Sequence, residues 1–221
     1  MPKVSIIIPV YNLAEYLERC LDSVVGQTLE DIEIICINDA STDRSPAILE
    51  RYAQNDKRLK VITVPKAGQG VARNKGIAMA TGEYVGFVDG DDWADETMFE
   101  KLYQAAHKNR SDIALCFSDS FDETGKKVKY PYFDAETRAL RGKRKEVTYT
   151  AGEIIPKLSD ITVVCWNKVY RRDFLKECNA AFAETIIHED IPFFYETILN
   201  AQKISVVRQS LYRYSASRTG S

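Results

Sequence analysis

The apolar positions in the first half of the chain fall into two alternating rhythms. Short unbroken runs, VSIIIPVY at 4–11, IEIICIN at 32–38, KVITVP at 60–65, EYVGFV at 83–88 and DIALCFS at 112–118, have the length and β-branched character of buried strands. Between the first two, Leu13, Tyr16, Leu17, Cys20, Leu21, Val24 and Val25 recur at helical spacing up to Gly26. Ser45 as a cap and Pro46 at the first position predict a second helix through Ile48, Leu49 and Tyr52. The glycine loop KAGQG leads into a third helix over VARNKGIAMA, ended by Gly82, and a fourth covers about residues 95–109. Strands alternating with helices in this way predict an α/β fold with a mainly parallel sheet flanked by helices. From about residue 119 the rhythm loosens into charged and aromatic stretches. That predicts one domain in two halves, a regular 1–118 and a more irregular 119–221 built around an acceptor or partner.

With 45% of the 221 residues apolar and 28% charged, the chain can close one large core or two small ones, and one mixed domain is the default. A net charge of −2 gives no global drive toward nucleic acid, although Lys126, Lys127, Lys129, Arg138, Arg141, Lys143, Arg144 and Lys145 gather locally. The five cysteines make no C-x-x-C pair and lie mostly in apolar runs, which points to a reducing cytosol. The apolar run Val4 to Val10, broken by Ser5 and Pro9, is too short for a signal segment or a membrane span.

In an open parallel sheet, ligands bind beyond the carboxyl ends of the strands, so the residues that follow each run are the candidates. They are Pro9, Tyr11 and Asn12; then Asn38, Asp39 and the turn through Asp43; then Lys66, the Gly68/Gly70 loop, Arg73 and Asn74; then Asp89, Gly90, Asp91 and Asp92. An aromatic ring can stack on a base, Asp39 can accept a base N–H, and a helix N-terminus with Arg73 can hold a phosphate. Asp89 and Asp91, as Asp-x-Asp, can hold a hard divalent cation that bridges two phosphates. The acids at 89, 91, 92 and 95 repel one another, so either a cation or basic side chains must sit among them. Each piece alone has a plainer reading: a turn at NDASTD, a core Tyr11, a helix cap at Asp95. A calcium loop fails because Trp93 and Ala94 stand where a ligand and the turn glycine belong, and GQGVAR carries Arg73 where the dinucleotide fingerprint wants a small residue. Together the pieces describe a nucleotide-diphosphate pocket.

VSIIIPVYN, EIICINDASTD, GQGVARNKGIAMATGEYVGFVDGDD, WNKVYRRDFL and HED, in that order over most of the chain, resemble the family 2 glycosyltransferases of the Rossmann-like GT-A fold. The resemblance implies an inverting, Mn2+- or Mg2+-dependent transfer of a sugar from a nucleotide-sugar donor, usually a UDP-sugar. The acceptor would be a hydroxyl of a saccharide or lipid-linked molecule, in cell-surface polysaccharide or glycoconjugate synthesis. On the matching positions it implies Pro9, Tyr11, Asn12, Asp39 and Arg73 around the nucleotide, Asp89 at the ribose and metal, and Asp91 on the metal. Asp92, Trp166, Lys168 and Glu189 would lie on the acceptor or sugar side. Asp190, in the family's ED pattern, would be the catalytic base, with a helix cap before Ile191 and Pro192 as the plain alternative. The chain departs from the family's DDGS pattern at Asn38 and Ala40, which changes the first hydrogen bond and puts alanine where glycine frees the loop.

Two other classes stay open: a sugar-nucleotide-binding module without catalysis, and a nucleotidyltransferase. The second is disfavoured because PVYN stands where such enzymes place a glycine-rich phosphate loop. The basic cluster at 126–145 meets anionic headgroups on the cytoplasmic face of the inner membrane, or the phosphate of a lipid-linked acceptor, or is a solvated loop. The chain stops in YRYSASRTGS, just past a strand and a polar turn, leaving room for a membrane-binding segment beyond it.

Overall fold

The computed structural model describes residues 1–184 and 188–216. Strand β1 (Val4–Val10) is buried at every position because it pairs in parallel with β2 (Ile32–Asp39) on one side and β4 (Tyr84–Phe87) on the other. A strand enclosed on both edges and both faces has no polar side to show, hence its mostly apolar run, in which the buried Ser5 donates to Glu33. Strand β3 (Leu59–Val64) extends this parallel set beyond β2. Helix α1 (Leu17–Val25) turns Leu17, Cys20, Leu21 and Val24 inward, and α2 (Ser45–Asn55) and α3 (Gln69–Met79) complete the crossovers.

Ser45 does not cap α2 as the pattern predicted. Its hydroxyl accepts the Leu13 N–H at 2.9 Å, while Asp43 accepts the Ser45 N–H at 2.9 Å and the Ala14 N–H at 2.9 Å. These bonds join the start of α2 to the chain that follows β1.

After β4 come the short β5 (Trp93–Ala94), α4 (Met98–Asn109) and β6 (Ile113–Phe121). The second half adds β7 (Lys127–Val128), α5 (Pro131–Leu140), β8 (Glu146–Thr150), α6 (Ala151–Ile154), a 3₁₀ turn at Ile155–Asp160, β9 (Lys168–Arg171), α7 (Arg172–Glu177), α8 (Asp190–Asn200) and β10 (Lys203–Ser215). All the strands form one sheet in the order β3-β2-β1-β4-β9-β6-β10-β5, with β7 on β6 and β8 on β10.

Two expectations change here. The second half is not an irregular layer set against the first, since its β9 lies antiparallel between β4 and β6, and its β10 runs parallel to β6. The 118/119 division therefore falls inside β6. The sheet is parallel through β1–β4 and mixed beyond them. Because β4 and β6 are each antiparallel to β9, they run the same way and end at the same edge, which is what gathers the site. Of the basic cluster, Lys127 lies in β7 and Arg138 in α5, while Lys126, Lys129, Arg141, Lys143, Arg144 and Lys145 lie in the connections around these elements, all of them exposed.

All five cysteines are free, and burial pushes the thiols of Cys36 and Cys165 up to about 12, so they are inert core residues. Among the described residues no helix is long and apolar enough to cross a membrane.

The turn after β2 contains the two departures from DDGS. Asn38 accepts the Ser41 N–H at 3.0 Å, and Ala40 takes the left-handed conformation with φ 54°. An alanine there is strained where glycine is not. Ala40→Gly should therefore raise stability by about 0.5 to 1 kcal/mol in urea unfolding, and a loss of stability would show that the alanine methyl packs usefully.

Candidate active site

The ends of β1, β2, β3 and β4 meet at one edge of the sheet. Pro9 and Tyr11, Asp39, Lys66 and Gly68, and Asp89 and Asp91 line a common cleft of about 140 Å³. Asp39 is buried, and its two oxygens accept the Ala67 and Gly68 N–H groups at 2.7 and 2.9 Å. It thus holds the glycine loop, in which Gly68 has φ 93°, a conformation that side chains avoid. Each carboxylate oxygen keeps a further lone pair for a ligand. Lys66 donates to the Tyr11 hydroxyl at 2.6 Å, with its ammonium 4.0 Å from the ring centre. Asn12 lies outside the cleft lining. Its side-chain oxygen accepts the Thr42 N–H at 2.8 Å, so it braces the turn after β2 rather than facing a nucleotide.

The acidic turn is set from below by a residue 120 positions away. The Tyr212 hydroxyl accepts the Asp89 N–H at 3.1 Å and donates to Asp92 at 2.8 Å, while Ser215 N–H donates to the other Asp92 oxygen at 2.8 Å. Asp92 is 2% exposed, and burial, together with the charges of Asp91 and Asp89, pushes its carboxyl well up. Asp92 therefore anchors the turn to β10 and is not on the sugar side. Arg19 donates to the Asp91 carbonyl at 2.9 Å and lies 3.8 Å over the Trp93 ring.

Arg73 is the centre of the arrangement. It is 3% exposed, and it donates to Asp89 at 2.6 Å and to Glu189. Its charge stays fixed, because the neighbouring negative groups outweigh the burial that opposes it. Its role differs from the expected phosphate clamp: with both guanidinium branches engaged, Arg73 positions Asp89 and draws Glu189 toward the donor half. Glu189 consequently points into the protein instead of toward an acceptor.

The segment that carries Glu189 is fastened to α3 by shape and by hydrogen bonds. A Cβ on Gly70 would sit 2.2 Å from the Ala183 carbonyl oxygen, so only glycine permits the approach. Asn74 donates to the Phe182 carbonyl at 2.9 Å and accepts the Phe182 N–H at 2.8 Å. The Phe182 ring stacks on Phe193 of α8 at 4.0 Å and meets Phe87 of β4 at 5.2 Å. These contacts fix the start of α8, whose first residue is Asp190. Burial pushes the Asp190 carboxyl up, outweighing Arg73, with Glu189 and Asp89 adding to the rise. Residues 185–187 of the TIIHED stretch lie outside the described residues.

Two further expected acceptor-side residues are interior. Trp166 is 5% exposed and stacks on Tyr212 at 4.1 Å, so it supports β10 under the acidic turn. Lys168 is fully buried and donates to the carbonyls of Thr162 and Val164 and to the Asn167 side chain at 2.7–3.0 Å. Burial lowers its pKa against the pull of Glu136, which itself accepts from Thr162 and Asn167. Glu136 and Tyr212 were missed in the sequence because their partners are far away along the chain and no local spacing marks them.

Among the described residues no three His, Cys, Asp or Glu side chains converge as a metal cage. A cation that bridges two phosphates needs only one or two carboxylates, the phosphates and water supplying the rest. Asp89 and Asp91, both lining the cleft, fit that donor set.

A sheet of this order, with an Asp-x-Asp at its carboxyl edge, is that of the GT-A class of fold. The chain belongs to glycosyl transferase family 2, whose sequence profile matches residues 5–178. It is 36% identical to the uncharacterized glycosyltransferase EpsJ of Bacillus subtilis (strain 168) over 97% of this chain and 61% of that protein. It is 39% identical to the uncharacterized glycosyltransferase YibD of Escherichia coli (strain K12) over 96% of this chain and 61% of that protein. The structure of Staphylococcus aureus TarS 1–349 in complex with UDP-GlcNAc matches with a TM-score of 0.81 and 28% identity, over 99% of this chain and 60% of that one. The chain thus spans about three fifths of the length of these relatives.

If Arg73 neutralises two inward-facing carboxylates, Arg73→Ala should cost about 3 to 5 kcal/mol in chemical denaturation. The exposed Arg51, paired with Glu18 at 2.6 Å, should be nearly silent when changed to alanine. Equal effects of the two substitutions would contradict the central role given to Arg73.

Proposed function

We propose that this protein is an inverting glycosyltransferase that moves a sugar from a UDP-sugar to a hydroxyl of a saccharide or lipid-linked acceptor in polysaccharide or glycoconjugate synthesis. The observation that carries the reading is the junction at Arg73, which ties Asp89 on the donor cleft to Glu189, the neighbour of Asp190. The UDP-GlcNAc bound to TarS supports a uridine donor.

The chain's own groups divide the work. Tyr11 and Pro9 offer faces for the base, and Asp39 offers the remaining lone pairs of a carboxylate already fixed by the loop amides. Asp91, with Asp89 beside it, would hold Mn2+ or Mg2+, which when bound stabilises the charge that develops on the leaving diphosphate. Asp190 takes the proton from the acceptor hydroxyl. A carboxyl raised by burial is a stronger base than an exposed one, and inversion requires the base on the face opposite the leaving group. The exposed Arg138, Arg141, Lys143, Arg144 and Lys145 fit a peripheral contact with anionic headgroups on the cytoplasmic side.

UDP affinity measured by calorimetry should fall on adding EDTA and recover with Mn2+, because like charge otherwise meets the diphosphate at Asp89 and Asp91. Asp91→Asn should lose that recovery. Affinity indifferent to EDTA would remove the metal role.

Asp190→Asn should keep UDP binding and slow transfer by roughly 100-fold to 10,000-fold. The base works only when ionised and its pKa is raised. Wild-type transfer should therefore fall as pH drops through a value above the ordinary carboxylate range near ~3.9. The raised pKa also means that the ionised carboxylate disfavours the folded state at neutral pH, so the asparagine variant should be as stable as wild type or more so. A variant that turns over at the wild-type rate would reduce Asp190 to a helix start. A protein that binds UDP yet neither hydrolyses nor transfers any sugar would favour the binding-module reading.

A further inference from the structure

A second cleft, of about 170 Å³, opens between the carboxyl end of β6 and helix α5. Ser118 and Ser120 of β6 lie on one side, Tyr130, Asp134 and Thr137 on the other, and Lys127 of β7 at the rim. The two serines set it apart from an ordinary surface hollow. They are 4% and 1% exposed, and neither hydroxyl has a hydrogen-bond partner among the described residues. Residues two apart on a strand share a face, so the pair presents two neighbouring hydroxyls to one space. Buried hydroxyls are costly without partners, and native interiors rarely leave them so.

The position of this cleft gives the unused hydroxyls a meaning. Strands β4 and β6 end at the same edge, each being antiparallel to β9, so the cleft shares an edge with Asp89 and Asp91. Tyr214 stands between the two regions. Its ring lies 5.4 Å from that of Tyr130, and its phenol is pushed up to about 12 by burial, with Tyr130, Asp92 and Asp91 adding to the rise.

Adjacent serine hydroxyls, a threonine hydroxyl, a carboxylate and the face of a tyrosine match the donors, acceptors and C–H surface of a neutral sugar ring. An anionic ligand fits less well, since the Lys127 ammonium is already paired with Asp119 at 2.7 Å and Asp134 stands nearby. We propose that this cleft is a saccharide-binding subsite for the acceptor, holding one sugar unit beside the donor site. The proposal rests on the transferase reading above for the meaning of that sugar, but not for its binding. Sugar hydroxyls entering the cleft would supply the hydrogen-bond partners that the two serines lack.

The test is saturation-transfer NMR with a panel of methyl glycosides (β-glucoside, β-galactoside, α-mannoside and β-N-acetylglucosaminide) on three proteins. They are the wild type, Thr137→Trp, which fills the mouth from an exposed helical position, and the double variant Ser118→Ala, Ser120→Ala. At least one glycoside should bind the wild type. Binding should be abolished in Thr137→Trp and weakened about threefold to tenfold for each hydroxyl lost in the serine variant. UDP affinity should be the same in all three. Absence of binding by every glycoside, or binding that survives both changes, overturns the proposal and leaves a water-filled hollow. Glycoside binding that responds to the substitutions in a protein that binds no UDP upholds the subsite and sinks the transferase reading instead.

Discussion

One buried cation holds the candidate site together. Acids at the end of β4 would repel one another and any diphosphate, and Glu189 arrives beside them from a segment 100 residues further along the chain. Arg73 compensates Asp89 and Glu189 at once from an interior position where its own charge must be paired. That requirement runs both ways: the arginine needs the acids as much as they need it. The approach of the 182–184 segment to α3, the glycine at 70 and the twofold bond of Asn74 to Phe182 all serve to bring these three groups within reach.

Around that junction the site is built on backbone hydrogen bonds more than on loose side chains. Asp39 spends both oxygens on the Ala67 and Gly68 amides, Asn12 braces the turn after β2, and Tyr212 fixes the acidic turn through Asp89 N–H and Asp92. Each of these polar groups thereby sacrifices reach for rigidity. A surface of this kind leaves little to be ordered when a ligand binds.

The donor half was legible in the sequence because its logic is local. A strand buried on both faces reads as an unbroken apolar run, and the residue after it is at the sheet edge, so Pro9, Tyr11, Asp39, Asp89 and Asp91 could be collected one strand at a time. The second half was not legible in this way. β9 is a four-residue strand between two distant neighbours, and its partners in β4 and β6 carry no mark of it. Trp166 and Lys168 were assigned outward by resemblance. The stacking of Trp166 on Tyr212 and the fit of the Lys168 ammonium among buried carbonyls are facts of tertiary packing that no spacing announces. Arg73 was found by position and misjudged in role for the same reason: its second acid lies 116 residues away.

The integrity of the site therefore depends on whether Arg73 and Glu189 act as one unit. A double-mutant cycle with Arg73→Met, Glu189→Gln and the pair, read by urea unfolding, measures this without any assumption about substrate. Coupling of about 1 to 3 kcal/mol is the expected result, since Arg73→Met leaves Glu189 without its cation and Glu189→Gln leaves the buried Arg73 with only Asp89 as partner. Additivity to within about 0.3 to 0.5 kcal/mol would show that the two halves of the site are merely neighbours.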